Sequence, residues 1–157
     1  MHPGSNQKQV AVINSQAIKD NADWVGAYGD SNPVTVDTLG YNRVRFEYHI
    51  GATDIAIAEM GLWASDVATA SGADDTDYTQ QTDLAFSALP SATDDGEIWV
   101  VDVDLRGRNP RRYWACGAKA GNGTAGTYLS VKAVLSEPSG ITPTTATERG
   151  LGGLVAT

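Results

Sequence analysis

Residues Tyr41 to Ile50 read YNRVRFEYHI. Val44, Phe46, Tyr48 and Ile50 are apolar, and Arg43, Arg45, Glu47 and His49 alternate with them. A period of two puts each set on its own face of a β-strand, one face buried and the other wet or turned to a partner. GATD (Gly51–Asp54) reads as the turn that follows. IAIAEMGLWAS (Ile55–Ser65) reads as a returning strand, with Gly61 expected at a bulge.

The same pattern extends both ways along the chain. QVAVINSQAI (Gln9–Ile18) reads as a first strand, and Lys19 to Pro33, dense in Asn, Asp and Gly, as a long connection. Asp66 to Asp83 is a polar loop with a short strand expected near Tyr78, and Ser87 to Glu97 is a turn region. EIWVVDVDL (Glu97–Leu105) is a strand with Trp99, Val101, Val103 and Leu105 inward and Val100, Asp102 and Asp104 outward. RRYWACGAKA (Arg111–Ala120) and TYLSVKAVLS (Thr127–Ser136) are the last strands, joined by the glycine turn GNGTAG; Leu129, Val131, Ala133 and Leu135 share a face of the second. Short strands between turns, with no persuasive amphipathic helix, predict an all-β antiparallel sandwich of jelly-roll type. The expected organisation is an N-terminal arm over residues 1–8, a sandwich over 9–136 and an extended tail over 137–157. The Gly- and Pro-rich tail is expected to lie against other chains, with at most a helical turn near Thr145 to Arg149.

Composition narrows the function. The chain has 157 residues, enough for one domain with a real core, and a formal net charge of -8. That charge argues against nucleic acid and anionic membrane as partners, since both bind mainly through cationic surface. No run approaches the roughly 20 apolar residues of a membrane helix, and the first ten residues do not read as a signal peptide. Synthesis in a cytoplasm without export is the expectation. Cys116 is the single cysteine, set in an apolar run, and reads as a small buried thiol.

Several motifs invite a chemical reading. Asp74, Asp75 and Asp77, and Asp94, Asp95 and Glu97, offer oxygen ligands, but neither group has the spacing of a calcium loop; Asp-rich turns that cap themselves explain both. Asp102 and Asp104 lie about 7 Å apart along one strand face, a spacing that identifies no glycosidase. A Ser-His-Asp arrangement would have to use His49, and no nucleophile-elbow sequence supports it. GNGTAG leads into a strand and not a helix, so it reads as a hairpin turn and not a phosphate cradle. The expectation is a protein without catalysis, cofactor or metal.

The most charged segment is DVDLRGRNPRRYW, Asp102 to Trp114. Four of the chain's eleven basic residues, Arg106, Arg108, Arg111 and Arg112, fall inside it. It reads as the tip of a hairpin whose guanidinium groups reach carboxylates of another subunit, pair within the sheet with Asp102 and Asp104, or do both. Trp24, in the long connection, is expected to be exposed or interfacial; Trp99 and Trp114 are expected in core or rim packing.

Taken together, TLGYNRVRFEYHIGATDIAIAEMGLWASD and SALPSATDDGEIWVVDVDLRGRNPRRYWACGAKAGNGTAGTYLSVKAVLSE resemble a group of tailed-phage virion proteins associated with head decoration, or cement, over roughly Asp37 to Leu135. The Asn109-Pro110 pair looks like a small insertion relative to that group's tighter tip. The resemblance implies a virion structural protein on the outer capsid surface. Its partners would be the major capsid protein and copies of itself, most plausibly a homotrimer. The rival from another class is a carbohydrate-binding module of a head or tail fibre. An exposed row of aromatic side chains would favour that rival, and tryptophans buried in strands would count against it.

Overall fold

The computed structural model describes residues 6–19, 25–26, 34–67, 77–106 and 111–140, which form nine strands and one short 3-10 helix. One sheet holds β1 (Lys8–Ile18), β4 (Tyr41–Thr53), β7 (Ile98–Asp104) and β9 (Thr127–Pro138), in the order β1-β9-β4-β7. The other holds β2 (Val25–Gly26), β3 (Val36–Asp37), β5 (Ile57–Ser65), β6 (Thr79–Gln80) and β8 (Tyr113–Ala120), in the order β2-β8-β5-β6. β3 pairs with β8 on the edge that β2 also uses, so the two short strands together fill one strand position. All pairings are antiparallel.

The chain changes sheets between β1 and β2, β3 and β4, β4 and β5, β6 and β7, β7 and β8, and β8 and β9. Two four-position sheets wound in this alternating way are a jelly roll. This corrects the turn assignments read from the sequence. GATD, the arginine-rich segment and GNGTAG do not close hairpins between paired neighbours; each carries the chain from one sheet to the other. The connections are arches because each strand is amphipathic and both sheets bury one face against the same core.

The alternation read in Tyr41–Ile50 is what the fold uses. Val44, Phe46 and Tyr48 are fully buried, with Ile50 close behind, and they meet Val101 and Val103 of β7 and Leu129, Val131, Ala133 and Leu135 of β9 in one core. The opposing sheet contributes Leu62, Ala64, Trp114, Cys116 and Ala118. Burial pushes the Cys116 thiol well above its usual pKa, which keeps it protonated and inert.

Two irregularities matter for the surface. β1 breaks register with β9 on both sides of Ile13, so Val12 and Ile13 are both buried and Asn14 and Ser15 stand out on the surface. In β5 the break lies between Ile57 and Glu59, and Gly61 pairs in register with Gly117. Gly61 is therefore not the bulge that the sequence suggested. Its carbonyl instead accepts the buried Tyr48 hydroxyl at 2.8 Å, a bond that joins the two sheets through the core. Tyr48→Phe should remove that donor, strand a buried carbonyl and destabilise the domain by about 1–3 kcal/mol in urea melts. No measurable loss would mean that the carbonyl finds water or another donor.

Candidate functional site

One end of the sandwich gathers the arginines. Tyr41, which begins β4, lies opposite Pro138, which ends β9, and Arg43 lies opposite Asp104, which ends β7. β3 reaches the same end because Asp37 pairs with Tyr113 of β8. Leu105 and Arg106, after β7, and Arg111 and Arg112, before β8, lie at this end.

Pairing geometry decides which carboxylate each guanidinium takes. Arg45 is directly across from Asp102, yet Arg43 reaches it diagonally, with Nε at 2.7 Å and Nη2 at 3.0 Å. Arg45 turns along its own strand to Glu47 at 2.7 Å. Asp104 is left to Arg106, which binds it through Nε at 3.0 Å and Nη2 at 2.8 Å. Arg112 makes a third bidentate pair, to Asp37 of the neighbouring β3 at 2.8 and 2.6 Å, and lies over the Tyr113 ring. Arg111 reaches Asp66 at 3.4 Å. Glu137 takes a left-handed backbone conformation (φ 54°), uncommon for a residue with a side chain, and its carboxylate sits between Arg106 at 3.3 Å and Arg43 at 3.6 Å.

The electrostatics follow from these contacts. The Arg106 guanidinium, helped by the Arg106 backbone N–H, holds the Asp104 carboxyl down at about 2. Arg112 likewise holds Asp37 below its usual value. Both acids stay ionised over ordinary pH. These pairs are open to water, so screening limits what they add to stability. Each bidentate pair uses two of the five N–H donors of an arginine, and in Arg43 and Arg106 the Nη1 group turns to Glu137 as well. Beside them Leu39 is 66% exposed, on the turn that Asp37 caps by accepting the Leu39 N–H. Leu39, Thr38, Tyr41, Leu105 and Arg112 border a groove of about 260 Å³. Tyrosine and arginine are enriched at protein-binding hot spots, and this groove presents Tyr41 and Arg112 beside the exposed Leu39.

The described arginines of the expected site thus come together: Arg106, Arg111 and Arg112 all lie at this end. Arg108 and Trp24 lie outside the described residues, as do Asp74, Asp75 and the tail from 141 onward. The pairing of Arg106 with Asp104 was foreseen; Asp102 instead holds Arg43. Arg43, Asp37, Leu39 and Glu137 were missed. Asp37 and Glu137 are distant in sequence from the arginines they hold, and only the sandwich winding brings them close.

The other candidates resolve locally. Among the described residues no group of His, Cys, Asp and Glu is arranged to hold a metal ion. Asp94 accepts the Ser91 N–H at 2.7 Å and so caps its own turn, while Asp95 accepts the N–H of Thr53, the last residue of β4, at 3.0 Å. The amides of GNGTAG do cradle an anion, but it is the Asp54 carboxylate of the same chain. His49 borders a groove of about 340 Å³ with Asn14, Ser15, Ser130 and Lys132. Its Nε2 is shielded from solvent, bonded to no hydroxyl, and 3.7 Å from Glu47. Burial raises the Glu47 carboxyl, but Lys132 and Arg45 outweigh it and hold the group below its usual value. Trp63 and Trp114 are buried and Trp99 packs against the core.

No protein family matches the chain, and no curated protein sequence matches it.

Proposed function

We propose that this is a non-enzymatic structural protein of a virus particle, one that docks on the outer surface of a phage head and clamps neighbouring capsid subunits. The observation that carries the reading is the arginine-rimmed end around Leu39: a preorganised, multidentate surface on an acidic domain. Each described guanidinium there is held by a carboxylate of the same chain, so the end offers fixed, alternating charges whose placement orients docking on a body of net charge -8. Many copies bound to a repeating lattice gain strength from numbers, and binding to the assembled form stabilises it by mass action. Trp63 and Trp114 are buried and Trp99 is half-buried against the core, which counts against a sugar-stacking platform.

The test is occupancy on particles assembled without this protein and then supplied with it. Leu39→Asp with Arg111→Ala should lower occupancy at least tenfold and leave the melting temperature of the free protein nearly unchanged. Added salt should weaken the wild type more than Arg111→Ala alone, since that variant has already lost a charge that salt screens. Unchanged occupancy would remove this end of the molecule from the interface.

A further inference from the structure

The outer face of the β1-β9-β4-β7 sheet carries a groove that the arginine end does not use. Its centre, His49, lies six residues along β4 from Arg43, roughly 20 Å at the rise of a strand. β1 makes one wall. Ile13 pairs with Val131 and Gln16 with Leu129, so three steps of β1 cover two of β9. The extra residue bulges the strand and stands Asn14 and Ser15 outward beside Ser130. His49 pairs with Ser130 from the other side and makes the opposite wall. The groove holds about 340 Å³ here and continues into a hollow of about 130 Å³ that shares Ser15, His49 and Ser130. Tyr128, 48% exposed, closes that end. Its neighbours are small: Ala17 pairs with it on β1, and Gly51 lies beside it on β4. A Cβ on Gly51 would already stand 3.0 Å from the Tyr128 Cβ, so the glycine leaves room beside the ring.

The lining selects the chemistry of an occupant. Among the described residues, the side chains of Asn14, Ser15, His49 and Ser130 make no hydrogen bond within the chain. Amide, hydroxyl and imidazole groups offer donors and acceptors together. Lys132, the ammonium on the wall, is held by Glu47 at 2.9 Å. A phosphate or other anion therefore meets a cation that is already paired, and the net charge of -8 opposes its approach. A peptide strand finds no sheet edge to extend, because β9, the floor, lies between β1 and β4. A lipid chain would cover the hydroxyls and the amide without bonding them. A neutral sugar meets every condition. Its hydroxyls can donate to and accept from the wall, and the C–H face of its ring can pack on Tyr128.

We propose that this groove binds a neutral saccharide, with Tyr128 packed against one sugar ring and Asn14, Ser15 and Ser130 bonding its hydroxyls. One exposed tyrosine beside a polar groove is a different arrangement from a tryptophan platform, and it does not depend on what the arginine end docks on. The test titrates the full chain with maltohexaose, cellohexaose, chitohexaose and mannohexaose, and with hexagalacturonate as the charged comparison, following backbone amide shifts by NMR. At least one neutral hexasaccharide should bind in the millimolar range or tighter and shift the amides of Ser15, Gly51, Tyr128 and Ser130. Tyr128→Ala should weaken that binding at least tenfold, and Tyr128→Phe should keep most of it, since the ring remains. Ser15→Ala with Ser130→Ala is a second block: it should also weaken binding at least tenfold, with a melting curve close to wild type because neither hydroxyl is bonded within the chain. No binding of any neutral hexasaccharide, tighter binding of hexagalacturonate, shifts confined to another face, or binding that survives both Tyr128→Ala and the double serine variant would overturn the assignment.

Discussion

Trp114→Ala should cost the domain about 3–5 kcal/mol, the range for deleting a large aromatic side chain from a packed core. Trp114 is 1% exposed and lies in β8 between Val36 of β3 and Ala64 of β5. Its indole N–H also donates to the Arg111 carbonyl at 2.8 Å, which pins the end of the arginine-rich crossing to the core. One side chain therefore closes the edge of a sheet and fixes the candidate docking surface. Against a usual domain stability of about 5–15 kcal/mol the loss is large enough to unfold part of the population. Trp114→Phe keeps most of the buried ring and loses the hydrogen bond, so it should cost less and still loosen the crossing. Urea melts of the two variants separate the contributions. A Trp114→Ala protein within about 1 kcal/mol of wild type would mean that the neighbouring strands collapse into the space, and would weaken the link between core and surface.

What the sequence made legible was period, and what it hid was partnership. The alternation in Tyr41–Ile50, Glu97–Leu105 and Thr127–Ser136 assigns each side chain to a face, because that follows from strand geometry alone, and every inward residue named there is buried or packed on the core. Turn residues say where the chain bends but not whether it bends back to its neighbour or across to the other sheet. The arginine segment and GNGTAG were therefore misread as hairpins. The same limit explains the site. Four arginines within seven residues are visible in any reading, but Asp37 and Glu137 become their partners only once β3 and the end of β9 arrive at the same end of the sandwich. Gly61 shows the opposite case: a strand glycine suggested a bulge, while the register break occurred at a place with no Gly or Pro to mark it.

At the far end from the arginines, Gly126→Ala should destabilise the domain by about 2–4 kcal/mol, combining backbone strain with a steric conflict. Gly126 takes a left-handed conformation (φ 80°), and a Cβ there would run into the Ile18 carbonyl at the end of β1. That turn aims the amides of Thr124, Ala125 and Gly126 at Asp54, whose carboxylate accepts them at 3.1, 2.7 and 2.7 Å. The β4–β5 and β8–β9 crossings are thus tied by one acid, and Thr127, fully buried, adds a bond to the Ile55 carbonyl at 2.8 Å. The Ala125 N–H, with those of Gly126 and Thr124, holds the Asp54 carboxyl below its usual pKa. Because the folded value is depressed, the stabilisation is fully present above the unfolded carboxylate pKa of about 3.9 and is lost as pH falls through the lower folded value. Asp54→Asn should therefore melt lower than wild type near neutral pH, with the gap narrowing below about pH 4 as the native acid takes up its proton. Asp37, Asp104 and Glu47 are also depressed and will keep part of the acid slope in the variant. Melting curves of wild type, Asp54→Asn and Gly126→Ala from pH 2 to 7 test the clasp. A gap between wild type and Asp54→Asn that stays constant with pH would show that the oxygen's shape matters there and its charge does not.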